Sequence, residues 1–191
     1  MRKQIGALAS LAMMAGVVVL SSPASGVGAQ TQPAAAGASP ITAALRDNWN
    51  GAKRNITESA DLMPEANYSF KPVDAVRTFG QILAHLAGAN YVICSAAKGE
   101  KSPHAEDAFE KTATTRAQII KAVADSHTYC DGVFNWADDK KLGEMIEMPF
   151  GMGKGARTKA LVMNIGHANE HYGNLVTYFR LKDIVPPSSR R

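Results

Sequence analysis

The sequence predicts an all-α fold, a four-helix bundle. Three observations point there. Four stretches carry apolar residues at helical spacing, no run shows sustained period-two alternation, and there is neither an internal repeat nor a sustained heptad. The chain has 191 residues, which favours one domain with a real core, and helices of this kind bury their stripes most simply against one another.

Helix one opens at Ser39-Pro40, an N-cap followed by an N1 proline. Ile41, Leu45, Trp49, Ala52, Ile56 and Met63 follow at helical spacing, with Arg46, Asp47, Lys53 and Arg54 off that face, so the helix covers roughly 41–62. "MPEANYSFKPVDAVRT" holds two prolines and reads as an irregular connection. Thr78 caps helix two. Its apolar residues are Phe79, Ile82, Leu83, Leu86, Ala89, Val92 and Ile93, and Gly99 stops it after about Ala97. A polar loop, "GEKSPHAEDAFEK", leads to helix three, whose stripe is Ile120, Val123, His127, Cys130 and Phe134. The Gly-rich "DDKKLGEMIEMPFGMGKGAR" suits a short turn or hairpin. Helix four runs from about Thr158 to Leu181, and Pro186-Pro187 bars its continuation.

The N-terminus has the order of a secretory signal peptide. Arg2 and Lys3 precede the apolar run "IGALASLAMMAGVVVL", then Ser, Pro and Gly lead to the small triplet Val27-Gly28-Ala29. The expected division is a signal peptide over 1–29, a disordered leader over 30–38 and the bundle over 39–191, giving a periplasmic or secreted protein with no stable membrane anchor after cleavage. Cleavage takes Arg2 and Lys3 from 21 basic residues and leaves 19 against 17 acidic ones. That balance argues against a nucleic-acid partner.

The candidate site begins with "NIGHANEHYGNLVTYFR". His167 and His171 stand four residues apart, on one face of helix four. A polar rim at the edge of the core is the bland account of such a pair. His85 on helix two supplies a third imidazole. If helices two and four run parallel, in an up-down-up-down bundle, His85 and His167 lie within ~3 Å of one level. Three neutral imidazoles suit a divalent ion, zinc before nickel, manganese or iron, and leave positions open for water. Competing motifs fail. "HANEH" matches H-x-x-E-H, but no glutamate follows Glu170 to complete an inverted zinc-protease site. Paired Glu-x-x-His motifs, CxxCH and GxSxG are absent.

From about Ile41 to Ser189 the chain resembles the DinB/YfiT-like superfamily of metalloenzymes. The pieces that carry the resemblance are "YSFKP", "FGQILAHLAGANY" around His85, and "HANEHYGNLVTYFRLKDIVPPSS". The resemblance implies a four-helix bundle that binds a divalent metal through a helix-two histidine and a helix-four HxxxH pair, here His85, His167 and His171. It also implies a small-molecule substrate, since characterised relatives transfer or rearrange substrates with low-molecular-weight thiols such as bacillithiol, mycothiol or glutathione. Those thiols are cytosolic, whereas the signal peptide directs this chain outward. Two functions stay open: a metal-dependent transferase or hydrolase, or a non-catalytic metal-binding or structural module. A homodimer is compatible with either.

Among the remaining residues, Glu170 is the candidate to orient a ligand or take a proton from bound water, although its angular displacement from the two ligands suits a solvated face. His127 is read as a core histidine bonded to a backbone carbonyl; the alternative, if helices two and three are antiparallel, is that it reaches the level of His85 as a donor to a ligand. His104 sits in a polar loop. Trp49, Tyr91 and Tyr178 are candidates for the mouth of the site or for packing. In an antiparallel hairpin Cys94 and Cys130 differ in level by ~18 Å, so two free thiols are expected, with Cys130 buried. A 99–113 connection that crosses the bundle would make helices two and three parallel and let the cysteines pair.

Overall fold

The computed structural model describes residues 39–190, so the expected signal peptide and leader lie outside the described residues. Four long helices form the bundle: α1 (Pro40–Leu62), α2 (Phe79–Lys98), α4 (Arg116–Trp136) and α6 (Arg157–Arg180). Two short helices, α3 (Ala108–Thr112) and α5 (Asp139–Leu142), lie in the connections. A hairpin of β1 (Met145–Glu147) and β2 (Lys154–Ala156) leads into α6, with Ile146 opposite Gly155. The all-α four-helix expectation holds.

The local signals act where they stand. Ser39 Oγ accepts from Thr42 N, and Thr78 and Thr115 each form a capping box with the glutamine three residues on. Gly99 ends α2 with φ 83°, the left-handed conformation that glycine adopts freely. α2 is the central helix and is buried on nearly every side, with Phe79, Leu83 and Leu86 wholly enclosed. Each such side chain stabilises the fold by about 1.5–3 kcal/mol. One stripe residue departs from expectation. Ile41 is 69% exposed, because the first turn of α1 turns Thr42 inward instead, where its hydroxyl donates to Asp139 of α5.

Helix directions follow from which residues meet. Arg46 reaches the carbonyl of Phe134, Trp49 donates to Asp131, and Arg116 reaches the carbonyl of Asp61, so α1 and α4 are antiparallel. Arg157 reaches the carbonyl of Ala97 while Tyr178 reaches that of Arg77, so α2 and α6 are antiparallel. Asn90 bonds Ser126, and Ser95 bonds Tyr129, so α2 and α4 are parallel. The order is therefore up-down-down-up. This corrects the up-down-up-down expectation, in which α2 and α6 ran together.

The same topology corrects the expectation of free thiols. Cys94 and Cys130 form a disulfide with Cα atoms 5.5 Å apart. Parallel α2 and α4 place the two cysteines at one level, which the residues between the helices make possible by running back along α2. The length suffices: 17 residues reach ~56 Å when extended, against ~30 Å for a 20-residue helix. That crossover is seated on Gly88, where an added Cβ would lie 1.8 Å from the carbonyl oxygen of Glu106. Tyr91, one turn further, holds it through ring contacts with His104 and Phe109, at centroid distances of 4.7 and 5.8 Å.

Candidate metal centre

α2 and α6 pack antiparallel, and the register that sets Phe79 against Phe179 and Ala97 against Arg157 sets His85 between His167 and His171. The predicted meeting of His85 with His167 survives the reversal of direction, and the antiparallel register centres His85 on the HxxxH pair. The Nε2 atoms of His85 and His167 are 3.2 Å apart, and those of His171 and His167 are 3.1 Å apart. The three side chains each offer a ligand atom within 4.8 Å of the others.

Hydrogen bonding among the rings accounts for at most one of the two contacts, since His167 Nε2 cannot both donate to one ring and accept from the other. His85 Nδ1 lies 3.1 Å from Glu110 Oε1, and a carboxylate only accepts, so Nδ1 is the donor, which in a neutral ring leaves Nε2 with its lone pair. His167 Nδ1 is buried without a partner. A tetrahedral ion with nitrogen ligands at 2.0–2.1 Å would set them about 3.3 Å apart. The two spacings that involve His167 and the all-imidazole donor set fit a divalent ion.

The electrostatics favour the neutral form of His167 and His171, the form in which an imidazole can bind a metal. Burial, then the neighbouring His171 and His85 and the Arg77 guanidinium, push His167 down to about 4. Burial also pushes His171 down, assisted by His85, with the Glu170 carboxylate pulling the other way. Both imidazoles are neutral at pH 7.

Beside the triad lies a cavity of about 430 Å³. Val76 and Ile82 give it an apolar wall, while His171, Arg77, Asn174 and Tyr178 supply polar groups. A separate cleft of about 500 Å³ is lined by Glu110, Thr115 and Arg116 but includes none of the three histidines.

The structure brings His85, His167 and His171 together as the sequence suggested. Glu170 is exposed and acts on His171 only through its charge. His127 is buried elsewhere. It shares a hydrogen bond with Thr57 and packs edge-on against Trp49, because α4 runs parallel to α2 and turns this face to α1. The core-histidine reading of His127 holds, with Thr57 in place of a backbone carbonyl as its partner, and the antiparallel arrangement that would have brought it level with His85 is corrected by that direction. Trp49 stacks on Phe134 in the core, and Tyr91 anchors the crossover, so neither belongs to the cavity beside the triad. Tyr178 lines the cavity. His104 is exposed, as expected of a polar loop.

Three residues escaped the sequence reading. Glu110 and Glu106 come from the crossover, with Glu106 Oε1 3.9 Å from His85 Nε2, and Arg77 holds Glu110. The pair is spaced i, i+4, but nothing in an aperiodic polar loop shows that it returns to helix two.

The sequence model described as the DinB superfamily matches residues 48–175, more than half of the chain. No curated protein matches. Among solved structures, a DinB-like protein from Bacillus cereus is 18% identical with a TM-score of 0.63, over 75% of this chain and 93% of that one. YfiT from Bacillus subtilis, described as "a probable metal-dependent hydrolase with an unusual four-helix bundle topology", is 12% identical with a TM-score of 0.59, over 79% and 93%. A mycothiol-dependent maleylpyruvate isomerase is 13% identical with a TM-score of 0.58, and the match spans 70% of this chain and 60% of that chain. These likenesses are likenesses of fold.

Proposed function

The chain belongs to the DinB superfamily, and from that premise we propose that it is an exported protein in which His85, His167 and His171 hold a divalent metal ion for chemistry on a small molecule. The observation that carries this reading is the convergence of three imidazole Nε2 atoms while Glu110 occupies the far nitrogen of His85. A bound ion of this kind supplies Lewis acidity and lowers the pKa of a coordinated water or thiol. The chain's own residues do the rest. The cavity against His171 offers a substrate an apolar wall at Val76 and Ile82, and polar contacts at Asn174 and Tyr178. Its position beside the triad supports catalysis over a purely structural metal, since a closed shell would leave no adjoining space. The neighbours named above, a mycothiol-dependent isomerase and a probable metal-dependent hydrolase, make thiol-dependent transfer and hydrolysis the two reactions to screen.

Export is supported by two independent features. The N-terminal sequence has the order of a signal peptide, and the Cys94–Cys130 disulfide belongs to an oxidising compartment.

The test is elemental analysis of untagged protein, followed by a thiol-transfer and hydrolysis screen with the metal found. About one ion per chain is expected. His85→Ala, His167→Ala and His171→Ala should each lose it while retaining helical circular dichroism, since the apolar core cluster includes none of the three histidines. Full occupancy in any variant removes that histidine from the ligand set.

A further inference from the structure

Resting on the metal-site reading, we propose that Glu110 is a positioning residue for His85. It takes the Nδ1–H of the imidazole, and so aims a bare Nε2 lone pair at the point where the other two histidines converge. Nothing in the sequence pattern or in the three-histidine set assigns this residue a role.

The geometry distinguishes Glu110 from its neighbour. Its Oε1 is 3.1 Å from His85 Nδ1, within hydrogen-bond reach, and its side chain is 18% exposed. The Glu106 carboxylate is 3.9 Å from Nε2, beyond that reach, and 44% exposed. Of the two carboxylates beside one ring, the nearer and better enclosed one takes the proton. A free imidazole prefers to carry it on Nε2, where it would face the other two ligands; an acceptor at Nδ1 reverses that preference.

Glu110 is itself held. Arg77 Nε donates to Oε2 at 3.0 Å and Nη2 to Oε1 at 3.3 Å, a paired contact on both oxygens. The backbone carbonyl of Arg77 accepts from the Tyr178 hydroxyl at 2.6 Å. Tyr178 lies two turns beyond His171 on α6. A continuous set of contacts thus runs from the helix that bears two ligands, through the connection before α2, to the carboxylate that orients the third. The other ligands have no such support. His167 Nδ1 has no partner, and His171 Nδ1 has only the Asn174 amide at 3.4 Å. His85 is the anchored member of the triad.

The experiment titrates Zn(II) against a competing chelator in the full mature chain, and follows the imidazole nitrogens by NMR in the zinc-loaded protein. Glu110→Ala should weaken zinc binding 10–100-fold. Glu110→Gln, which keeps an acceptor oxygen, should recover part of that loss. In the wild type, His85 should show a protonated Nδ1 and an unprotonated Nε2, and the Nδ1–H signal should exchange faster in Glu110→Ala. Wild-type affinity in Glu110→Ala, or a Gln variant as weak as the Ala variant, overturns the proposal. So does a wild-type His85 metallated through Nδ1, a readout that needs no variant to fold. A wild type that takes up no zinc overturns the metal-site reading as well, so the two failures are told apart.

Discussion

The backbone carbonyl of Glu106 rests on Gly88 so closely that a methyl group on Gly88 would lie 1.8 Å from its oxygen and 2.7 Å from its carbon. Both opposing atoms are backbone, so no side-chain rotation relieves the clash. Gly88→Ala must lift the crossover off α2, and with it Glu106 and Glu110. We expect a loss of about 1–3 kcal/mol in stability, with faster proteolysis within residues 99–115. Urea unfolding and limited proteolysis measure both. A variant as stable and as resistant as the wild type would show that the crossover does not depend on this seat.

The Cys94–Cys130 disulfide closes a loop with a sequence separation of 36 residues. Chain-entropy arithmetic gives it about 4 kcal/mol, which for a domain of this size shifts the thermal midpoint by roughly 10 °C. Alkylation in denaturant should label neither cysteine without reductant and both with it, and the reduced protein should melt earlier by about that margin. Labelling of both thiols without reductant would restore the antiparallel hairpin.

Burial pushes His127 down to about 4, with Asp131 on α4 opposing and Lys53 on α1 assisting. Thr57 and Trp49 complete its surroundings from α1. The unfolded chain, with an ordinary value near 6.5, binds a proton that the folded chain refuses. Stability from this source is therefore whole above pH 6.5 and is lost as the pH falls from there toward 4. The loss is about 2–3 kcal/mol at pH 4.5. His167 and His171 act in the same direction in metal-free protein, so the measurement is a comparison. Between pH 7 and 4.5, His127→Gln should lose less stability to urea than the wild type. Equal losses would mean that His127 titrates normally in the fold.

The proposed export carries with it cleavage after Ala29, at the small-residue triplet Val27-Gly28-Ala29. Protein secreted from a bacterial host should begin at Gln30 on N-terminal sequencing. A product that keeps Arg2 and Lys3 would exclude the proposed export.

Most of what is local was legible in the sequence. Ser39, Thr78 and Gly99 mark helix ends because caps and left-handed glycines act on atoms within a few residues of themselves. The HxxxH pair was legible because helical period alone puts His167 and His171 on one face. His85 was joined to them on a parallel arrangement that the structure reverses, and the antiparallel register brings it level with both. Tertiary structure alone decided the directions. Residues 99–115 have no period to read, and their path is set by contacts with distant residues: the Gly88 seat, the Tyr91–His104 ring contact and the Arg77–Glu110 pair. That path makes α2 and α4 parallel, which lets Cys94 meet Cys130, turns His127 toward α1 and delivers a carboxylate to His85. Each of these depends on which helix face meets which, a relation between residues far apart in the chain that no local propensity encodes.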